Sequence, residues 1–128
     1  MCTCPMYGLM DFDPDGIEIL STYKHGSKAL EHENDILKAS KIQWLGLNSK
    51  HLAQGDGVHQ RQGLLALSLR DRRKATQMLD RDPFTERGEE SEWRREIQVM
   101  LVMNTKAEIQ LLESAEIPLH EWVVSQFR

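Results

Sequence analysis

Three observations in the sequence predict an α/β fold with a helical C-terminal extension. An apolar run (Met6, Leu9, Met10) closes in Asp11-Phe12-Asp13-Pro14-Asp15-Gly16 and leads directly into Ile17-Glu18-Ile19-Leu20, which reads as a strand feeding a helix. A second short apolar stretch, Ile42-Gln43-Trp44-Leu45, is closed by Gly46. From Ser68 onward the apolar residues recur at helical spacing. Strand, helix and strand followed by helices is the order of an α/β layer with a helical tail.

The first strand is predicted over residues 6–12. Pro14 at an early helical position and Asp15 in the first turn suit a helix running to about Tyr23, with Gly26 as its stop. A polar connection bearing Glu31, Glu33 and Asp35 precedes the second strand. Gln54-Gly55-Asp56-Gly57 is turn chemistry and predicts a surface loop. Leu64-Leu65-Ala66-Leu67 fits either a buried strand or the lead-in to the next helix. Ser68 and Asp71 approximate a capping box, and that helix should reach about Arg81 before Asp82-Pro83 stops it. Its core side is expected to hold Leu69, Ala75 and Leu79. A further helix is predicted over residues 90–103 with Trp93, Ile97, Met100 and Leu101 on one face. Thr105 and Glu108 repeat the capping pattern, predicting a third helix that turns Ile109 and Leu112 inward. A last helix is expected over residues 117–126, with Pro118 in its first turn.

One domain fits in 128 residues, with an α/β part over about 6–67 and the helical extension over about 68–128. Sixteen basic against twenty acidic residues give a formal net charge of −4, which argues against nucleic-acid binding by bulk charge but not against a local basic face. No apolar run approaches the length of a membrane span. Met1-Cys2-Thr3-Cys4-Pro5 has neither the basic region nor the apolar stretch of a signal peptide. Cys2 and Cys4 cannot fill a four-ligand zinc site between them and read as free thiols in a reducing, intracellular setting.

The chemistry concentrates in the hexapeptide at residues 11–16. Carboxylates at i and i+2 on an extended chain face the same side, so Asp11 and Asp13 can share one hard cation. The carboxyl end of a strand is also where open α/β sheets place ligands. A plainer reading makes Asp11, Asp13 and Asp15 turn and cap residues. Against it, Asp11 ends an apolar run, where an uncompensated carboxylate is costly. Neighbouring carboxylates also raise one another's proton affinity unless a cation is present. Magnesium suits the pattern because it takes few protein carboxylates and leaves positions for water and phosphate oxygens. The calcium-binding EF-hand loop shares the DxDxDG string but fails here. Its twelfth position would be Thr22 instead of a bidentate Glu, its eighth is Glu18 instead of an apolar residue, and Pro14 interrupts it.

Leu9 through Ile19, followed by Tyr23-Lys24-His25-Gly26-Ser27, resembles the Toprim domain of topoisomerase VI A subunits and of their eukaryotic relatives, the meiotic recombination proteins that make DNA double-strand breaks. Ile42-Gln43-Trp44-Leu45-Gly46-Leu47, Leu69-Arg70-Asp71, Trp93-Arg94-Arg95-Glu96 and Lys106-Ala107-Glu108-Ile109-Gln110 agree in order and spacing. The resemblance covers roughly residues 6–124.

It implies a Toprim-type, Rossmann-like partial parallel sheet in a type IIB topoisomerase-like protein. In that family a tyrosine on a separate winged-helix domain attacks a DNA phosphodiester and stays linked to the 5′ end. Carboxylates of the Toprim domain hold the assisting Mg2+. By this resemblance Asp11 and Asp13 are the metal ligands, and Asp15, where relatives more often carry His or another residue, is a candidate for a further contact at the metal or just outside it. The implied partners are double-stranded DNA and, in the full-length protein, a second copy or a topoisomerase VI B-like subunit. The implied location is chromosomal, in the nucleus. The family's third metal carboxylate, a Glu on an earlier strand, and its winged helix with the nucleophile are expected upstream. The chain is therefore expected to be a C-terminal part, inactive alone and marginally stable because a strand edge lacks its neighbour. Tyr7 and Tyr23 do not replace the nucleophile, since both fall within matched Toprim segments.

Arg70, Arg73 and Lys74, with Gln77 and Arg81, form a helical stripe that is a candidate for DNA phosphate contacts. The solvated face of an amphipathic helix gives the same stripe. Trp44 and Trp93 are expected in the core. His25 and the other four histidines have no spacing that makes a site. The competing function class is a Toprim remnant that binds protein or DNA without chemistry. Magnesium binding discriminates the two.

Overall fold

A computed structural model describes residues 5–26, 41–52, 63–112 and 118–127. Strand β1 (Tyr7–Leu9) pairs in parallel with β2 (Gln43–Gly46), matching Tyr7 to Gln43, Gly8 to Trp44 and, past an irregularity, Leu9 to Gly46. Met10 prolongs this pairing by donating to Gly46 O at 2.7 Å and accepting from Leu47 N at 2.6 Å. Parallel strands require a crossover connection, and helix α1 (Pro14–His25) lies in it. Its start follows the expected chemistry, with Asp13 as N-cap and Pro14 at the first position. α1 packs directly on β1, leaving so little room at Gly8 that a Cβ there would lie 2.4 Å from Leu20 Cδ1.

After the short helix α2 (Ser49–Leu52) comes β3 (Leu64–Ala66), so the ambiguous Leu64–Leu67 stretch is a strand, but not the buried one expected, since Leu65 and Ala66 are exposed. Helix α3 (Leu69–Leu79) then begins at the predicted capping box. Asp71 N donates to Ser68 Oγ at 3.0 Å, and Ser68 N to Asp71 Oδ2 at 2.9 Å. The core side of α3 is Ala75 and Met78, with Leu79 packed beside them. Leu69 is 65% exposed, contrary to the expectation that it faces inward. As the first residue of the helix it precedes the turn that meets the core. Helix α4 (Ser91–Met103) buries Trp93, Ile97 and Met100, with Leu101 packed at the margin, as the periodicity predicts.

The third predicted helix is not there. Asn104, in the left-handed region (φ 51°), ends α4, and the chain leaves as strand β4 (Thr105–Ala107), antiparallel to β3. Thr105 Oγ1 donates to Met103 O at 2.8 Å instead of capping a following turn. The backbone of β4 is committed on both sides, to β3 and to Phe12. A single 3-10 turn (Ile109–Leu112) comes next, and then helix α5 (Leu119–Ser125), with Pro118 just before its first residue. The Gln54–Gly57 turn, Cys2, Cys4 and Ser27 lie outside the described residues.

The α/β class stands, but β3 does not extend the parallel pair. It belongs to a second, antiparallel ribbon stitched to the first at one point, where Phe12 and Ala107 exchange hydrogen bonds of 2.8 and 3.0 Å. The core gathers around that stitch. Phe12, Ile17, Leu20, Leu47, Met78, Phe84, Ile97 and Met100 are fully or almost fully buried. Trp93 is also buried, with Trp44 edge-on to it at 6.0 Å.

Candidate metal centre at the strand–helix junction

The Phe12–Ala107 bridge fixes the geometry of the hexapeptide. Phe12 is fully buried, and side chains alternate along an extended chain, so Asp11 and Asp13 emerge together on the opposite side. Each is anchored by one oxygen. Asp11 Oδ1 accepts from Ile109 N at 2.8 Å, and Asp13 Oδ1 accepts from Gly16 N at 2.6 Å. Among the described residues the second oxygen of each accepts no hydrogen bond. Burial pushes the Asp13 carboxyl above its ordinary range, opposed by the Gly16 N–H, and the Asp11 and Asp15 charges push it further up. Lys106 acts weakly the other way. A partly buried carboxylate held short of compensating positive charge is one that a cation would relieve.

Asp15 takes a different role. Arg70 Nη1 donates to its Oδ2 at 3.1 Å and Lys74 Nζ lies 2.5 Å from its Oδ1. These bonds, Arg70 first, hold the Asp15 carboxyl below its ordinary range and raise Arg70 and Lys74 in turn. Glu18, one turn on, pairs with Lys74 and with Arg81 and is lowered for the same reason. Of the three basic residues singled out for DNA, Arg70 and Lys74 thus come to the edge of the acidic site. Arg73 is exposed on α3 and makes no ion pair among the described residues.

Sequence reasoning missed the partner of Lys106. Lys106 Nζ donates to Asp71 Oδ2 at 2.7 Å, so the α3 capping carboxylate also holds a β4 ammonium beside the acidic pair. Burial would raise the Asp71 carboxyl, but Lys106 and Ser68 together hold it down. Asp71 raises Lys106, with Asp13 and Asp15 adding to the effect. The signal that could have found it is Lys-Ala-Glu read with strand alternation, Ala107 in and its neighbours out, but the capping pattern at Thr105 hid it.

Among the described residues no three His, Cys, Asp or Glu side chains converge as a metal cage. Two anchored carboxylates with one open oxygen each nevertheless fit Mg2+, which commonly takes one or two protein carboxylates and keeps its remaining positions for water and phosphate. Both tyrosines are set back along the chain from the carboxylate pair. Tyr7 is four residues up an extended strand from Asp11, about 13 Å, and Tyr23 is eight helical residues beyond Asp15, about 12 Å.

The family model for the Toprim domain of Spo11 and of the topoisomerase 6 A subunit matches residues 1–124. The chain belongs to that family. It is 39% identical to meiotic recombination protein SPO11-1 of Oryza sativa subsp. indica over 113 residues, covering 88% of this chain and 29% of that protein. It is 36% identical to meiotic recombination protein SPO11 of Homo sapiens, covering 84% and 26%. The A3 subunit of DNA topoisomerase 6 from Oryza sativa subsp. indica is 34% identical, with 86% and 24% covered. The Toprim chain thus spans less than a third of the length of these relatives. The parallel β1–β2 pair with α1 between its strands is the Toprim α/β layer that the sequence predicted.

Proposed function

We propose that this Toprim domain binds Mg2+ through Asp11 and Asp13 and works on double-stranded DNA in a protein that makes meiotic double-strand breaks by tyrosine transesterification. The observation that carries this reading is the pair of anchored carboxylates, each with an open oxygen, at the carboxyl end of β1. When bound, Mg2+ supplies charge stabilisation for a phosphodiester undergoing transfer. The protein's own part is to fix where that charge sits. The Ile109 and Gly16 amides orient the two carboxylates, and the Phe12–Ala107 bridge sets their separation. Lys106, held by Asp71, contributes positive charge beside them.

The nucleophilic tyrosine and a third carboxylate come from outside the described residues. Cutting both strands needs two nucleophiles, so two copies act together, with a topoisomerase VI B-like subunit as a further partner, on chromosomal DNA in the nucleus.

Calorimetric titration of the chain with MgCl2 tests the metal assignment. Wild type should bind and Asp13→Asn should not, at unchanged helix content. In a complete cleavage-competent protein, Asp11→Ala or Asp13→Ala should abolish magnesium-dependent cleavage without unfolding the domain. Equal Mg2+ binding by wild type and Asp13→Asn would remove the metal site and favour a Toprim remnant that binds its partners without chemistry.

A further inference from the structure

Apart from Arg73, the cations of the basic stripe on α3 are not open in this structure. Arg70 spans both oxygens of Asp15, at 3.1 Å from Oδ2 and 3.4 Å from Oδ1. Lys74 bridges Asp15 and Glu18, and Arg81 Nη2 lies 2.7 Å from Glu18 Oε1. Three cations, from α3 and the turn just after it, are therefore engaged by two carboxylates of another helix, three residues apart on α1. The network is at the surface. Arg70 and Arg81 side chains are 69% and 53% exposed, and Asp15 is 43% exposed. Pairs this accessible are individually weak and exchange readily. A carboxylate also presents to a guanidinium or ammonium much the same acceptor pattern as a phosphate oxygen pair.

We propose that Asp15 and Glu18 are internal substitutes for DNA phosphates. In the DNA-free domain they hold Arg70, Lys74 and Arg81 in an ordered row, and duplex DNA binds by displacing them with its own phosphates. Two consequences follow from the charges. The carboxylates lower affinity for any polyanion, so only a duplex held by further contacts competes. They also spare DNA the cost of ordering three long side chains. Asp15 is then a DNA-affinity residue and not a third metal ligand, which explains why it sits with Arg70 and Lys74 while Asp11 and Asp13 bond to backbone amides. The proposal rests on the DNA-binding reading given under the proposed function.

The magnitude follows from the ion pairs that DNA must break. In wild type DNA must break these pairs, which the variants lack, and an exposed ion pair is worth up to about fivefold in affinity. The test is fluorescence anisotropy of a labelled duplex with the 128-residue chain in EDTA, across a salt series. Asp15→Asn and Glu18→Gln should each tighten binding by roughly twofold to fivefold at low salt, a gain that shrinks as salt rises. Glu121→Gln, an exposed acid on α5, should change affinity less than about twofold, which separates local release from a general loss of negative charge. The gain from Asp15→Asn should vanish in an Arg70→Ala/Lys74→Ala background, which removes both of its cationic partners.

Unchanged or weaker binding by both variants, a gain matched by Glu121→Gln, a gain that survives loss of both Arg70 and Lys74, or no duplex binding by any variant would each overturn the proposal. Loss of Mg2+ binding in Asp15→Asn would also overturn it while leaving the metal site standing. If Asp13→Asn keeps Mg2+ binding but Asp15→Asn tightens DNA, the metal reading fails and this one holds.

Discussion

Replacing Gly16 by alanine should destabilise the domain, although the position lies inside a helix where alanine is normally the better residue. A Cβ at Gly16 would stand 2.5 Å from the Asp11 carbonyl oxygen and 3.1 Å from Asp13 Oδ1. The first contact is with backbone, and that backbone cannot retreat freely because the next residue, Phe12, is bonded to Ala107. Relief must come from shifting the first turn of α1, which stretches the 2.6 Å bond from Gly16 N to Asp13. Helix propensity favours alanine by about 1 kcal/mol. Overpacking against a rigid neighbour costs about 1–3 kcal/mol, and a weakened N-cap about 1 kcal/mol more. The balance is a loss of roughly 1–3 kcal/mol, or about 4–12 °C in melting temperature at roughly 4 °C per kcal/mol for a domain of this size. Gly26→Ala is the matched control. Among the described residues its Cβ would meet only Thr22 Cγ2, at 3.6 Å, and its backbone is already right-handed helical, so it should gain about 0.4–1 kcal/mol. Thermal melts, with hydrogen exchange of the α1 amides, read both variants. A Gly16→Ala protein as stable as wild type, with α1 equally protected, would refute the claim that the glycine is required by the approach of the Asp11 backbone.

Two further outcomes are expected. Asp71→Ala removes both a helix cap and the partner of Lys106, and should cost roughly 2–3 kcal/mol in chemical denaturation; a loss under about 0.5 kcal/mol would show that neither bond matters to the fold. His51 is buried, accepts from Asn48 N at Nδ1, and is held by burial, with Lys50 adding to it, at a pKa of about 4 against an ordinary 6.5. The unfolded chain therefore binds the proton first. The stability that the neutral ring contributes, roughly 3 kcal/mol, is fully present above pH 6.5 and is lost as pH falls from 6.5 toward 4. Melts over that window should slope steeply for wild type and less for His51→Gln; parallel slopes would contradict this.

Much of the site was legible in the chain itself. Pro14 and Asp13 have sequence-local roles at the start of α1, and Ser68 with Asp71 cap α3 as read, because capping depends on residues three apart. The same rule failed at Thr105, where an identical spacing is overridden by pairing with residues 64–66, some 40 positions away in the chain. Leu69 failed for a similar reason, since periodicity gives a face but not how far along a helix the packing begins.

By itself, then, the sequence determined the α/β class, the strand-to-helix junction bearing Asp11 and Asp13, and the family signatures, all of which depend on short-range spacing. Only the tertiary structure decided what each carboxylate does. Asp11 is anchored by Ile109 from across the fold, Asp15 is claimed by Arg70 and Lys74 of α3, and Asp71 reaches Lys106 on a strand that local pattern had read as helix. Those partners lie 35 to 98 residues apart in the chain. Charge pairing acts through space, and no periodicity along the sequence records which distant side chains the fold will bring into hydrogen-bonding reach.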